Sequence, residues 1–150
     1  MNNRIFTVRP MKREDTPKVA AIEKNIFSIP WSEKSFTDAC TTLENIYLVA
    51  EADGIIAGYC GLWTVLGEGN ITNMAVAEEF RRCGVGILLM EAMEKAGREK
   101  DVETFFLEVR ESNVAARHLY EKMGYKDIGL RRNFYERPVE NAVVMSKMYV

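Results

Sequence analysis

Two features of the chain carry residues suited to chemistry. The first is the run Arg81, Arg82, Cys83, Gly84, Val85 and Gly86. It follows an apolar, strand-like stretch at 71–76 and precedes a strongly amphipathic stretch opening near Gly84. A helix N-terminus presents unpaired N–H groups and the positive end of the macrodipole, which suits phosphate oxygens. Glycines let the backbone approach a bulky anion with no Cβ in the way. The run reads either as an anion cradle or as a tight strand-to-helix turn, and its spacing alone does not separate the two. Leu89 stands where a dinucleotide fingerprint needs its third glycine, and the Gly-Lys-Ser/Thr of a P-loop is absent.

The second feature is Glu108, set between Leu107 and Val109 in the most apolar strand-like stretch. Side chains alternate along a strand, so Glu108 faces away from both neighbours and shares its side with Phe106 and Arg110. A carboxylate there needs a partner or a task. It is either an ion-pair partner of Arg110 or Arg131, or a general base whose pKa partial burial would raise. Tyr120 falls on the inward stripe of the next helical stretch, as a core tyrosine or as a phenol able to give a proton to a leaving group. Asn113 reads most simply as the cap of that helix. His118 and Arg117 belong to its outer, solvated face, and nothing near Cys83 would activate a thiolate.

The elements that must position these groups follow from periodicity and punctuation. Residues 5–8 form a short first strand. Asp15, Thr16 and Pro17 open a helix with a capping side chain before an early proline, and Val19, Ile22, Ile26 and Phe27 make its apolar stripe. Pro30 ends it, and Ser32 caps a second helix with Phe36, Ala39 and Leu43 inward. Residues 46–50 and 55–65 are strands joined at Asp53-Gly54, and 67–70 is a further turn. The helix after the cradle buries Val85, Leu88, Leu89, Ala92, Met93 and Ala96, with Glu91, Glu94, Lys95 and Arg98 opposite. Residues 102–109 read as a strand covered on both faces. A last helix carries Ala116, Leu119, Tyr120 and Met123 inward and ends at Gly124, before strands at 125–130 and 142–149. The order β-α-α-β-β-β-α-β-α-β-β implies a mixed α/β sheet in a single domain over 1–150.

Composition excludes several classes of function. The 150 residues suffice for one core, at roughly 68–70% of the unfolded surface buried. A formal net charge of −2 argues against nucleic-acid binding through bulk positive charge. Cys40, Cys60 and Cys83 are scattered, as free thiols in a reducing cytosol would be, and the lone His118 cannot build a metal site with them. Residues 1–6 lack the apolar core of a signal peptide, and no apolar run reaches membrane-spanning length. A cytoplasmic protein without metal or membrane is expected.

Arg81-x-x-Gly84-x-Gly86 between a strand and a long helix is similar to the acetyl-CoA signature of the GCN5-related N-acetyltransferases (GNAT). Asn113-x-x-Ala116-x-x-Leu119-Tyr120-x-x-x-Gly124-Tyr125 resembles that family's second signature. Within the family, the stretches Pro30-Trp31-Ser32-Glu33-Lys34-Ser35-Phe36, Leu107-Glu108-Val109-Arg110-x-Ser112-Asn113 and Arg131-Arg132-Asn133-Phe134-Tyr135 resemble the RimI branch. The resemblance implies a splayed mixed sheet of about seven strands flanked by four helices. It implies acetyl-CoA as cosubstrate, with Met74, Ala75 and Val76 pairing with pantetheine and Arg81, Arg82, Cys83, Gly84, Val85, Gly86 and Ile87 holding the pyrophosphate. Asn113 would contact the cofactor, Glu108 would be the base and Tyr120 the acid. The acceptor it implies is the N-terminal peptide of a small-subunit ribosomal protein, with Trp31 and Tyr135 as candidate peptide contacts. A small amine such as a polyamine as acceptor, or a non-catalytic acyl-CoA-binding module, stands as the alternative.

Overall fold

The computed structural model describes residues 4–149; residues 1–3, part of the stretch read against a signal peptide, lie outside them, as does residue 150. The described residues form seven strands and four α-helices. They are β1 (Thr7–Pro10), α1 (Thr16–Ile26), α2 (Glu33–Cys40), β2 (Asn45–Ala52), β3 (Ile55–Val65), β4 (Glu68–Val76), α3 (Val85–Glu99), β5 (Thr104–Arg110), α4 (Val114–Lys122), β6 (Lys126–Tyr135) and β7 (Glu140–Met148). One sheet takes all seven strands in the order β1-β2-β3-β4-β5-β7-β6. Every neighbouring pair is antiparallel except β4 with β5. The expected mixed, helix-flanked sheet is thus observed.

Strand β3 shows how the layers form. Its central residues are buried on both faces, so it reads as a continuous apolar run. Successive side chains point to opposite faces. Tyr59 meets Phe36 of α2 and Glu23 of α1, while its neighbour Cys60 meets the Leu89 carbonyl of α3. Helices α1 and α2 therefore cover one face and α3 the other. Close approach of α3 depends on Gly97, where a Cβ would lie 2.8 Å from the Phe105 ring and 3.1 Å from Leu62.

Several expectations are corrected. Leu43 is 88% exposed, because α2 stops at Cys40. Asp15 does not cap α1. Its carboxylate accepts from the Lys12 N–H at 2.7 Å and from Arg9 at 2.7 and 2.9 Å, tying the preceding turn to β1. The inward face of α3 is rotated, burying Met90, Glu94 and Gly97 and exposing Leu88. Glu94 accepts from Tyr125 Oη, Lys147 Nζ and Tyr149 Oη at 2.7, 2.8 and 2.6 Å, so α3, the approach to β6 and the end of β7 converge on one carboxylate. Strand β5 is covered on one face only: Phe105, Leu107 and Val109 are buried, and the alternate residues face outward. Strand β4 begins at Glu68, inside the stretch read as a turn. No described helix is long and apolar enough to cross a membrane, and no described group of three His, Cys, Asp or Glu could hold a metal.

Candidate active site

The cleft of the molecule is a consequence of register. Strands β4 and β5 pair only through Glu68 with Thr104, Gly69 with Phe105 and Asn70 with Phe106. Opposite β3, Leu62 faces Ile71 and Gly61 faces Asn73, so Thr72 is an extra, bulged residue. A bulge bends its strand and increases its twist. Thr72 Oγ1 and Asn73 Oδ1 lie 2.8 and 3.0 Å from Tyr47 Oη, which holds the bulge in place. Beyond it the two strands part and open a cleft of about 740 Å³. Met74, Glu108, Asn113, Tyr120, Trp31 and Tyr135, far apart in the chain, all line it.

The cradle adjoins this cleft. Gly84, the N-cap of α3, has φ 79° and ψ 8°, and Arg82 has φ 64°. No side chain caps the helix, so its first-turn N–H groups face outward without a side-chain acceptor. A Cβ on Gly84 would meet nothing within 4 Å; one on Gly86 would lie 3.5 Å from Met74 Cε, 3.8 Å from Leu119 Cδ2 and 3.9 Å from Val76 Cγ2. The helix start thus sits against the end of β4 and the flank of α4. Arg81, Arg82 and Ile87 are exposed, Cys83 and Val85 pack on the core, and Arg81 Nε donates to the Val76 carbonyl at 3.4 Å. Ala75 is buried, and neither it nor Val76 lines the cleft.

Glu108 projects from the outward face of β5, with one third of its side chain exposed, and Oε1 lies 3.5 Å from Arg131 Nε. A pair this exposed contributes about 0–1 kcal/mol, so it does not lock the carboxylate. Arg110 does not join it. The Arg110 guanidinium donates to Glu140 Oε1, Pro138 O and Glu136 O, each at 3.1 Å, and lies 4.4 Å from the centre of the Tyr135 ring. Glu140 also accepts the Ser112 N–H at 2.6 Å, and these bonds hold its carboxyl below the ordinary range. The β6–β7 turn is thereby fastened as a wall of the cleft. Burial, with the Glu108 charge second, pushes the Tyr135 hydroxyl up to about 12.

Tyr120 packs at 6.0 Å from the Tyr125 ring, and burial pushes its hydroxyl up to about 12. Among the described residues no protein group hydrogen-bonds that hydroxyl. Asn113 is the expected cap, its Oδ1 accepting from the Ala116 N–H at 3.2 Å. Helix α4 has no fully buried residue, so its stripe is half-open toward the cleft and the cradle. The Trp31 ring lies 5.3 Å from that of Phe36, tilted by 46°.

Sequence reasoning missed three supports of this site: the Arg110 latch, the Tyr47 hold on the bulge, and Glu23. Glu23 is 3% exposed on α1 and lines the cleft. Its signal was present, since it follows the buried Val19 by four residues on one helix face.

The family model of the acetyltransferase (GNAT) family matches residues 16–125. A Bacillus subtilis protein named as a candidate [ribosomal protein bS18]-alanine N-acetyltransferase is 41% identical over 141 residues, 92% of each chain. The Haemophilus influenzae protein named [ribosomal protein bS18]-alanine N-acetyltransferase is 36% identical over 136 residues, 88% of this chain and 91% of its own. The crystal structure of the ribosomal-protein-S18-alanine N-acetyltransferase from Escherichia coli superposes with a TM-score of 0.89 at 31% identity, covering 96% of this chain and 94% of that one. With the parted strands, the glycine cradle and these relatives together, the chain belongs to the acetyltransferase (GNAT) family and is RimI-like within it.

Proposed function

We propose that the chain, as one acetyltransferase domain over 1–150, transfers acetyl from acetyl-CoA to the N-terminal α-amine of a protein. The acceptor we assign is the N-terminal alanine of ribosomal protein bS18, the protein named for its relatives. The observation that carries this reading is that one cleft, opened where β4 and β5 part, is lined at once by Glu108, Tyr120 and Asn113. None of the three cysteines forms a disulfide among the described residues, which fits a cytoplasmic site of action.

The residues present suit acetyl-CoA. An uncapped helix start with left-handed backbone at Arg82 and Gly84 suits a pyrophosphate, which Arg81, Arg82, Cys83, Gly84, Val85, Gly86 and Ile87 would hold. The β5-facing backbone of β4 beyond Asn70 lacks a strand partner, leaving Met74, Ala75 and Val76 to pair with pantetheine. Bound there, acetyl-CoA supplies an activated acetyl group and a thiol leaving group.

The chain's own residues then do three things. Glu108 takes a proton from the acceptor amine, directly or through one water. An α-amine has a free pKa of about 7.7–8.0, so a modest base suffices. A backbone N–H near Val76 donates where negative charge develops on oxygen. Tyr120 keeps its proton at neutral pH, since burial pushes its hydroxyl up to about 12. Delivery from such a phenol to a thiolate of about 8.5 runs uphill, so its main contribution is a hydrogen bond to the sulfur as it begins to leave. Trp31 and Tyr135, which line the same cleft, would contact the peptide.

An acceptor screen tests the reading. The protein with acetyl-CoA should acetylate an Ala-initiated peptide copied from bS18 far faster than any polyamine. Efficient polyamine acetylation with no peptide product would replace the acceptor. Acetyl-CoA binding with no transfer to any amine would make the chain a binding module.

A further inference from the structure

Glu23 lies outside the acetyl-transfer chemistry, yet it is among the few buried carboxylates of the molecule. It sits in the last turn of α1 and holds both ends of the segment that follows. Its backbone carbonyl accepts the Phe27 N–H at 2.9 Å, its Oε2 accepts the Trp31 N–H at 2.8 Å, and its Oε1 accepts from Tyr59 Oη at 2.7 Å. Tyr59 is fully buried in β3, so this clamp is anchored in the sheet. Between the clamped ends Phe27 and Ile29 are 39% and 53% exposed, and both line the cleft with Trp31. Phe134 and Tyr135, next to the turn fastened by Arg110, line the same cleft. A buried carboxylate persists where its hydrogen bonds are satisfied, and removing it strands both donors.

We propose that Glu23 is a positioning residue for the acceptor: it fixes the 27–31 segment as the peptide-facing wall and so governs acceptor affinity rather than the chemical step. This rests on the acceptor reading above. Both partners of the side chain are neutral donors. A glutamine can therefore keep the clamp, its Oε1 accepting from Trp31 N–H and its Nε2 donating to Tyr59 Oη, whereas alanine cannot.

The experiment has an arm independent of any acceptor. The chain has two tryptophans, so Trp63→Phe leaves Trp31 as the sole fluorophore. In that background Glu23→Ala should raise acrylamide quenching of Trp31, while Glu23→Gln should leave it at the parent value. In steady-state kinetics Glu23→Ala should raise the peptide KM on the order of tenfold, the loss of two buried hydrogen bonds, with kcat within about twofold and acetyl-CoA affinity unchanged. Glu23→Gln should restore KM. Tyr59→Phe, which keeps the ring and removes one donor, should raise KM by about threefold, and it carries the test if the alanine variant does not fold. Parent-like quenching and KM in Glu23→Ala and Tyr59→Phe, or a glutamine variant as impaired as the alanine one, would overturn the proposal. If the parent protein acetylates no Ala-initiated peptide, the acceptor reading fails while the quenching arm still decides whether Glu23 holds the wall.

Discussion

Replacing Gly84 by alanine isolates the backbone geometry of the cradle. Gly84 has φ 79° and ψ 8°, in the left-handed region, and a Cβ there would meet no atom within 4 Å. Steric clash therefore contributes nothing, and the whole effect is backbone strain of about 1–2 kcal/mol. The chain can absorb that strain in two ways. It can keep the left-handed turn and lose stability, and a domain of this size melts about 2–4 °C lower per kcal/mol. Or it can leave the turn, so that the first N–H groups of α3 swing away from the anion and acetyl-CoA binding weakens by about 5–30-fold, the same energy. Melting and binding together should share the 1–2 kcal/mol or so of strain. Gly129→Ala is the control. Gly129 lies in β6 without a positive φ, outside the cradle and the cleft lining, and a Cβ there would meet nothing within 4 Å. Alanine there should stabilise by up to about 1 kcal/mol and leave binding near wild type. Thermal melts and calorimetric titration with acetyl-CoA read both quantities. A Gly84→Ala protein that melts and binds like the parent, or two variants that behave alike, would refute the cradle.

Three further outcomes are expected. Glu108→Gln should lower kcat on the order of 10²–10⁴-fold with acetyl-CoA affinity retained; undiminished turnover in single-turnover assays would remove the base. Tyr120→Phe should lower kcat, and with the Tyr120 hydroxyl near 12 the parent's kcat should show no loss attributable to it between pH 7 and about pH 10; an alkaline limb near 9 that vanishes in the phenylalanine variant would contradict this. Asp15 has its pKa held below the ordinary 3.8, first by its bonds to Arg9. A depressed carboxylate stabilises fully above its unfolded value and loses that contribution as pH falls through the folded one, here in the window below about pH 4. Asp15→Asn should cost about 1–3 kcal/mol at neutral pH and flatten the acid limb of a pH–stability curve; a parallel downward shift at every pH would show that the charge is not what matters.

What was legible in the chain is what depends on near neighbours. The turn at Gly84 and the Asn113 cap are set by residues within a few positions, and both lie where spacing put them. The alternation that turned Glu108 away from Leu107 is also local. Glu94 was misread because helical periodicity assigns a glutamate to solvent, whereas its three donors come from 31 to 55 residues downstream. Arg110 stands two residues from Glu108 on the same face, yet it binds the β6–β7 turn, whose approach is fixed by strand order. The cleft itself was out of reach of periodicity. It exists because Thr72 bulges against β3 and because β4 and β5 pair over only three residues, and register of that kind is settled between strands.

The proposed reaction is transfer to an α-amine at the cleft lined by Glu108 and Tyr120. Fragment-ion mass spectrometry of a bS18-derived peptide carrying both an N-terminal alanine and an internal lysine, incubated with the protein and acetyl-CoA, tests it most directly. One acetyl group is expected, on the alanine nitrogen, formed by the parent protein and lost with Glu108→Gln. Acetyl on the lysine side chain, or equal product from the Glu108→Gln protein, would contradict it.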